Sequence, residues 1–229
     1  MAKTLSINGD LSQSVVMHTS SMEWLPSPSG SVLRKRVHLV GGAEAGQVTS
    51  VVRYLENSSF AAHDHPEGEE ILVLDGVFSD EHGDWPAGSY LLNPEGFRHA
   101  PFSKPGCLIF VKLRQYGGSG RRHVALCTHE LPWKSGPHAG IELKLLYSEA
   151  GFPDEMRLER WAPGATPGTV SYEGGAEILV LRGRLEDEQG SYDKLSWLRL
   201  PAGATHTPVS PNGCELYLKT GAVPSLRSG

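Results

Sequence analysis

The segment GEEILVLDG at 68–76 returns as GAEILVLRG at 175–183, 107 residues later. At that fixed offset SDEHG (79–83) meets EDEQG (186–190), and NPEGFRHAPFSKPGC (93–107) meets LPAGATHTPVSPNGC (200–214). Between 63 and 112, 20 of 50 aligned positions are identical. Upstream the alignment loosens, although Arg53-Tyr54 still faces Arg160-Trp161. A solenoid unit has about 20–50 residues, whereas this period has the length of a complete small domain. The chain is therefore read as two homologous domains in tandem, 1–117 and 118–229. They join in the Gly-rich polar stretch YGGSGRRH (116–123), whose composition suits a linker.

Each unit carries the same short apolar runs. VTSVVRYLE (48–56), EEILVLDG (69–76), SYLLN (89–93) and CLIFVKL (107–113) are rich in Val, Ile, Leu and aromatics, as strands are. EEILVLDG is apolar on both faces, as expected of a strand covered on two sides. The 27 glycines and 16 prolines punctuate these runs. The only helical candidate is a short one near 128–133. The fold class is all-β, and units of this size remove their exposed edges by closing into a barrel or a double-sheet jelly roll.

Composition narrows the function. A formal charge of −5 gives no electrostatic reason to bind nucleic acid or an anionic membrane. The sole basic cluster, Arg121-Arg122-His123, reads as a solvated linker. The first residues lack the charged and apolar regions of a secretory signal, and no apolar run approaches the ~18 residues that span a bilayer. The expected location is cytoplasmic. Cys107, Cys127 and Cys214 are odd in number and far apart, which argues against a disulfide framework or a zinc knuckle.

One constellation carries chemistry. His63 and His65 lie two residues apart, so on a strand their imidazoles share a face. Glu69 follows across the Pro66-Glu67-Gly68 turn, and His99 follows the Pro94-Glu95-Gly96 turn. Neutral imidazoles with one carboxylate suit a borderline first-row divalent cation, provided the fold brings the two segments together.

HDHPEGEEILVLDG resembles the first cupin motif, and GSYLLNPEGFRH resembles the second, with no departure at the four ligand positions. The run EGEEILVLDGVFSDEHGDWPAG, followed by NPEGFRHAPFS and FVKLRQY, is similar to the ChrR-like cupin family, the cupin half of zinc-dependent anti-sigma factors. The resemblance implies two tandem cupin (RmlC-like jelly-roll) β-barrels. It also implies one divalent metal ion on His63, His65, Glu69 and His99: zinc, with iron, manganese and nickel as alternatives. An ECF sigma factor is the implied partner. The helical zinc domain that clamps the sigma factor has a His-x-x-x-Cys-x-x-Cys signature, which this sequence does not contain. The family also resembles small cupin dioxygenases that cleave β-diketones with histidine-bound iron.

The second repeat is an internal control. At the fixed offset His63 becomes Val170, His65 becomes Tyr172 and Glu69 becomes Ala176, while His99 keeps a counterpart in His206. Glu177 corresponds to Glu70, and a one-residue shift on a strand turns the carboxylate to the opposite face. The second barrel is expected to hold no metal. Around the first site Phe97, Phe102 and Arg53 are candidates to line a pocket, with Pro101 on the parity of His99. Three functions remain open: a sensory or regulatory module for a small molecule or oxidant, an iron-dependent dioxygenase, and a purely structural metal site. The chain is expected to be a monomer or a homodimer.

Overall fold

The computed structural model describes residues 5–229, which form two compact units. The first comprises 5–9, 22–129 and 227–229, and the second comprises 10–21 and 130–226. No α-helix occurs among the described residues, and no helix is long and apolar enough to cross a membrane. The expected helix near 128–133 is a turn over 128–130 that follows strand Val124–Cys127. Three turns of amphipathic pattern are missing there, so nothing would bury a helical face.

The main sheet of the first unit runs in the spatial order Leu5–Ile7, Val32–Gly41, Gln47–Tyr54, Cys107–Leu113, Glu69–Asp80, Ser89–Asn93, Val124–Cys127, with every pair antiparallel. Opposing it are short ladders, among them His63–His65 with Phe97–His99. The second unit repeats this order from Ile141–Tyr147 through Glu155–Trp161, Cys214–Thr220 and Ala176–Asp187 to Ser196–Leu200. Its last place is taken by Val15–His18, from ahead of the first repeat. Val124–Cys127, from ahead of the second repeat's strands, fills the same place in the first unit.

The repeated ILVL run explains both cores. Ile71 and Val73 point into a cluster with Val52, Tyr54, Phe78, Ile109 and Val111. Ile178 and Val180 do the same with Trp161, Leu198, Leu216 and Leu218. Leu72 and Glu70, on the other face, are buried as well, so the doubly covered reading of this strand holds. The glycine ending each run is required by space. Gly76 has φ +70°, and a Cβ there would lie 2.1 Å from the Gly106 carbonyl oxygen. Gly183 meets Gly213 in the same way, also at 2.1 Å. Only a residue without a side chain permits that approach at positive φ.

Candidate metal centre

The Pro66 and Pro94 turns place two short strands side by side, in the register His63↔His99 and His65↔Phe97. One ring nitrogen from each of His63, His65 and His99 lies within 4.8 Å of the other two. The Nε2 atoms of His65 and His99 are 2.9 Å apart. Glu69 opens the next strand and stands beside them, its Oε2 3.6 Å from His65 Nε2 and 3.5 Å from His99 Nε2. His65, Glu69 and His99 are buried, and His63 is half-buried. The structure thus gathers the three histidines into one group, with the Glu69 carboxylate adjoining two of them.

Each partner around the group fixes an orientation. His99 Nδ1–H donates to Asp80 Oδ2 over 3.0 Å, which leaves the Nε2 lone pair facing the group. His63 Nδ1–H donates to the Ala61 carbonyl over 2.8 Å, with the same consequence. Asn93 Nδ2 donates to Glu69 Oε2 at 2.9 Å, which fixes the direction of the carboxylate. Asp80 is itself held by the His82 amide and by Trp85 Nε1. Lone pairs converging on one point repel each other unless a cation or a proton lies between them. Metal–nitrogen bonds run about 2.0–2.1 Å, so two ligands at right angles on one cation sit about 2.9 Å apart. The residues therefore fit a first-row divalent cation.

Burial shifts the two inner histidines, and their neighbours set the direction. His65 is pushed below the ordinary imidazole value by burial, against the attraction of Glu69. Burial disfavours the His99 cation too, but the hydrogen bond to Asp80 and the charges of Glu69, Asp80 and Glu81 outweigh it, so that its pKa is raised.

A cavity of about 440 Å³ opens onto this centre. His63, His65, Glu69 and Pro101 form part of its wall, and Val48, Val52, Phe60, Ile109, Val111 and Leu113 supply much of the rest. None of the three sequence candidates, Phe97, Phe102 and Arg53, lines it. Arg53 alternates with the inward Val52 and Tyr54, so it points outward, exposed, with its guanidinium 4.4 Å over the Trp24 ring. Phe97 meets the edge of His99 but stacks on His123 at 5.0 Å and packs against His82, away from the cavity. Phe102 pairs with Ser59 and Ser79 on neighbouring strands. Cys107 and Cys214 match one another as buried core residues, each thiol pushed up to about 11 by burial.

Asp80 escaped the sequence reading, although a signal existed: at the fixed offset it is retained as Asp187, just as His99 is retained as His206. In the second barrel His206 Nδ1–H donates to Asp187 Oδ2 over 3.3 Å. Its Nε2 faces the Tyr172 hydroxyl at 3.4 Å, where the first barrel has His65. Tyr192, in the place of Trp85, donates to the other oxygen of Asp187. Val170 stands opposite His206 in the ladder. The His–Asp pair thus belongs to both barrels, and Tyr172 puts a hydroxyl where the first barrel has the His65 imidazole, its phenol pushed up by burial.

Two β-barrels in one chain, the first with a three-histidine group beside its cavity, define a tandem cupin with a candidate metal site. Residues 12–117 and 121–224 each match the ChrR Cupin-like domain, and the chain belongs to that family. No curated protein matches the sequence. Among solved structures it is similar to a Nostoc punctiforme protein provisionally described as a dioxygenase (16% identity, TM-score 0.72, covering 90% of this chain and 82% of that one). It is also similar to protein YlbA of E. coli (18%, TM-score 0.69, 92% of each chain). A third is the bacterial pirin YhhW of Escherichia coli in complex with nickel(II) (12%, TM-score 0.64, 95% of this chain and all, 100%, of that one). At these identities the likeness shows the fold.

Proposed function

We propose that the first barrel is a metal-dependent small-molecule centre of the dioxygenase type, with one divalent cation held by His63, His65, His99 and Glu69. The observation that carries this reading is the position of His63, His65 and Glu69 on the wall of a cavity of about 440 Å³, within the range of about 300–1,000 Å³ of small-molecule sites. A cation serving only to tie strands together would be enclosed on all sides, whereas His63, His65 and Glu69 face open space. Bound iron(II) would supply redox chemistry toward dioxygen and a position for a coordinating substrate. Asp80 and the Ala61 carbonyl hold His99 and His63 in the tautomer that offers Nε2. The apolar stretch of the wall suits an apolar substrate body, and Glu69, anchored by Asn93, is placed to accept a proton from a bound ligand.

The family match favours a second reading, in which the same site is sensory: a small molecule or oxidant reaching the metal alters contacts with a protein partner, an ECF sigma factor being the kind suggested by the family. Elemental analysis of protein purified from its native host, followed by oxygen-uptake measurements on the iron-loaded chain against a panel of β-diketones, separates the two. Iron with substrate-dependent oxygen consumption supports the enzyme. Stoichiometric zinc without oxygen uptake refutes it and leaves the sensory reading.

A further inference from the structure

The same cavity contains two arginines that the metal does not explain. Arg34 and Arg36 lie on strand Val32–Gly41, opposite Val52 and Ser50, and both line the cavity. Their side chains are only 17% and 15% exposed. Both reach one acid, Glu44. Arg34 Nη1 contacts its two oxygens at 2.9 and 2.7 Å, and Arg36 Nη2 contacts Oε1 at 3.1 Å. Glu44 is 50% exposed and sits in the turn Gly42-Ala43-Glu44-Ala45-Gly46 between two strands. We propose that Arg34 and Arg36 form the receiving site for the carboxylate of an apolar organic acid, and that Glu44 occupies this site until the ligand displaces it.

The argument begins with charge. Two mostly buried guanidiniums need an anion, because a partly desolvated charge left without a partner is costly. The forked donors of Arg match a carboxylate in both geometry and sign. Glu44 meets that need from a turn with glycine at both ends and half its surface in water, so its departure disturbs little packing. Exchange of one carboxylate for another preserves the ion pairs, whereas a neutral ligand would forfeit them. The remainder of the wall, with Val48, Val52, Phe60, Ile109, Val111 and Leu113, matches an aliphatic or aromatic body.

The second barrel again serves as control. By strand register Leu143 faces Glu159 and Leu145 faces Arg157, with the ladder irregularity following Leu145 as it follows Arg36 in the first barrel. Leu143 and Leu145 thus take the places of Arg34 and Arg36. Arg114, a third arginine on the first cavity, becomes Gly221 at the fixed offset. The second cavity, about 650 Å³, has its charges one strand over, where Arg157 is bound between Glu155 and Glu159. The barrel fold therefore does not require Arg34 or Arg36. They are present in the repeat that keeps the metal ligands and absent from the repeat that loses them.

This inference rests on the first barrel being a small-molecule centre, and its test is designed to fail separately. Titration calorimetry on the full chain, metal-free and cobalt(II)-loaded, compares hexanoate with hexanamide and benzoate with benzamide. In the metal-free chain at least one acid is expected to bind tenfold or more tightly than its amide. Glu44→Gln, which removes the competing carboxylate, is expected to tighten that acid threefold or more, and Arg36→Met to weaken it tenfold or more. Equal binding of acids and amides, absence of acid binding to the metal-free chain, or a Glu44→Gln variant that binds no more tightly overturns the proposal. Should Arg36→Met fail to fold, the half-exposed Glu44 position decides the outcome. A chain that takes up no metal yet still discriminates acid from amide refutes the metal centre and keeps the carboxylate site.

Discussion

Replacing Asp80 with asparagine tests whether the buried His–Asp pair tunes the metal centre or merely fills space. Asp80 accepts from His99 Nδ1 at 3.0 Å, with side-chain exposures of 3% and 0% respectively. Asparagine keeps the shape and an acceptor oxygen but loses the charge. Hydrogen bonds to charged groups contribute about 1.5–3 kcal/mol and neutral ones about 0.5–1.5 kcal/mol, so the loss is about 1–1.5 kcal/mol, or about 5- to 13-fold in metal affinity. With the pair this buried, the effect should fall toward the range of about 10–100-fold known for such partners of ligating histidines. Competition with a chromophoric chelator for cobalt(II) or zinc(II) at pH 7.5 reads this directly. The charge of Asp80 also raises the proton affinity of His99 against its burial, so the variant loses part of its proton competition. Its deficit should therefore shrink as pH falls toward 6. Asp187→Asn removes the matching charge beside His206, where the carboxylate side chain is 1% exposed, and should leave metal affinity unchanged. Asp80→Asn binding metal within twofold of wild type, or Asp187→Asn weakening it equally, would falsify this account.

Three further outcomes are expected. His63→Ala should reduce bound metal to well below one per chain with the melting temperature of the metal-free protein little changed, while His206→Ala should leave the metal content intact; elemental analysis with thermal melts checks both. Metal should be lost on acidification, because each imidazole must be neutral to ligate: His99, whose pKa is raised, takes up a proton first, and His65, whose pKa is lowered, takes one up later, so dialysis at pH 5, below the ordinary imidazole value of about 6.5, should strip the site. Retention of metal at pH 5 would speak against histidine ligation. Gly76→Ala forces a Cβ against the Gly106 carbonyl at positive φ and should destabilise the first barrel by about 1–3 kcal/mol in urea unfolding; a loss under 0.5 kcal/mol (roughly the scatter of neutral substitutions) would show that the close approach relaxes freely.

Phe97 and Arg53 show where local pattern stops being informative. Alternation gives Phe97 the parity of His99 correctly, but parity defines a half-space and not a neighbour. Its ring leans onto His123, which lies on a segment 26 residues further along the chain. Arg53 is outward by the same alternation that turns Val52 and Tyr54 inward, and its partner Trp24 lies 29 residues earlier, just ahead of strand Leu25–Pro26. Arg34 and Arg36 stayed hidden for a different reason. Their counterparts Leu143 and Leu145 lie 109 residues away and not 107, so a fixed-offset comparison misaligns them.

The sequence by itself determined the repeat, the all-β class, the strands on either side of the ILVL runs, and the spacing that brings His63, His65 and His99 together. These depend on short-range properties: the two-residue period of a strand, turns at Pro66 and Pro94, and a glycine where no Cβ fits. Tertiary structure alone decided that Val15–His18 completes the second unit and Val124–Cys127 the first, that Asp80 and Asn93 orient His99 and Glu69, and that two arginines share the cavity with the histidines. Each of those is a register between strands distant in the chain, and register is set by which faces the whole barrel buries, a quantity that no single segment contains.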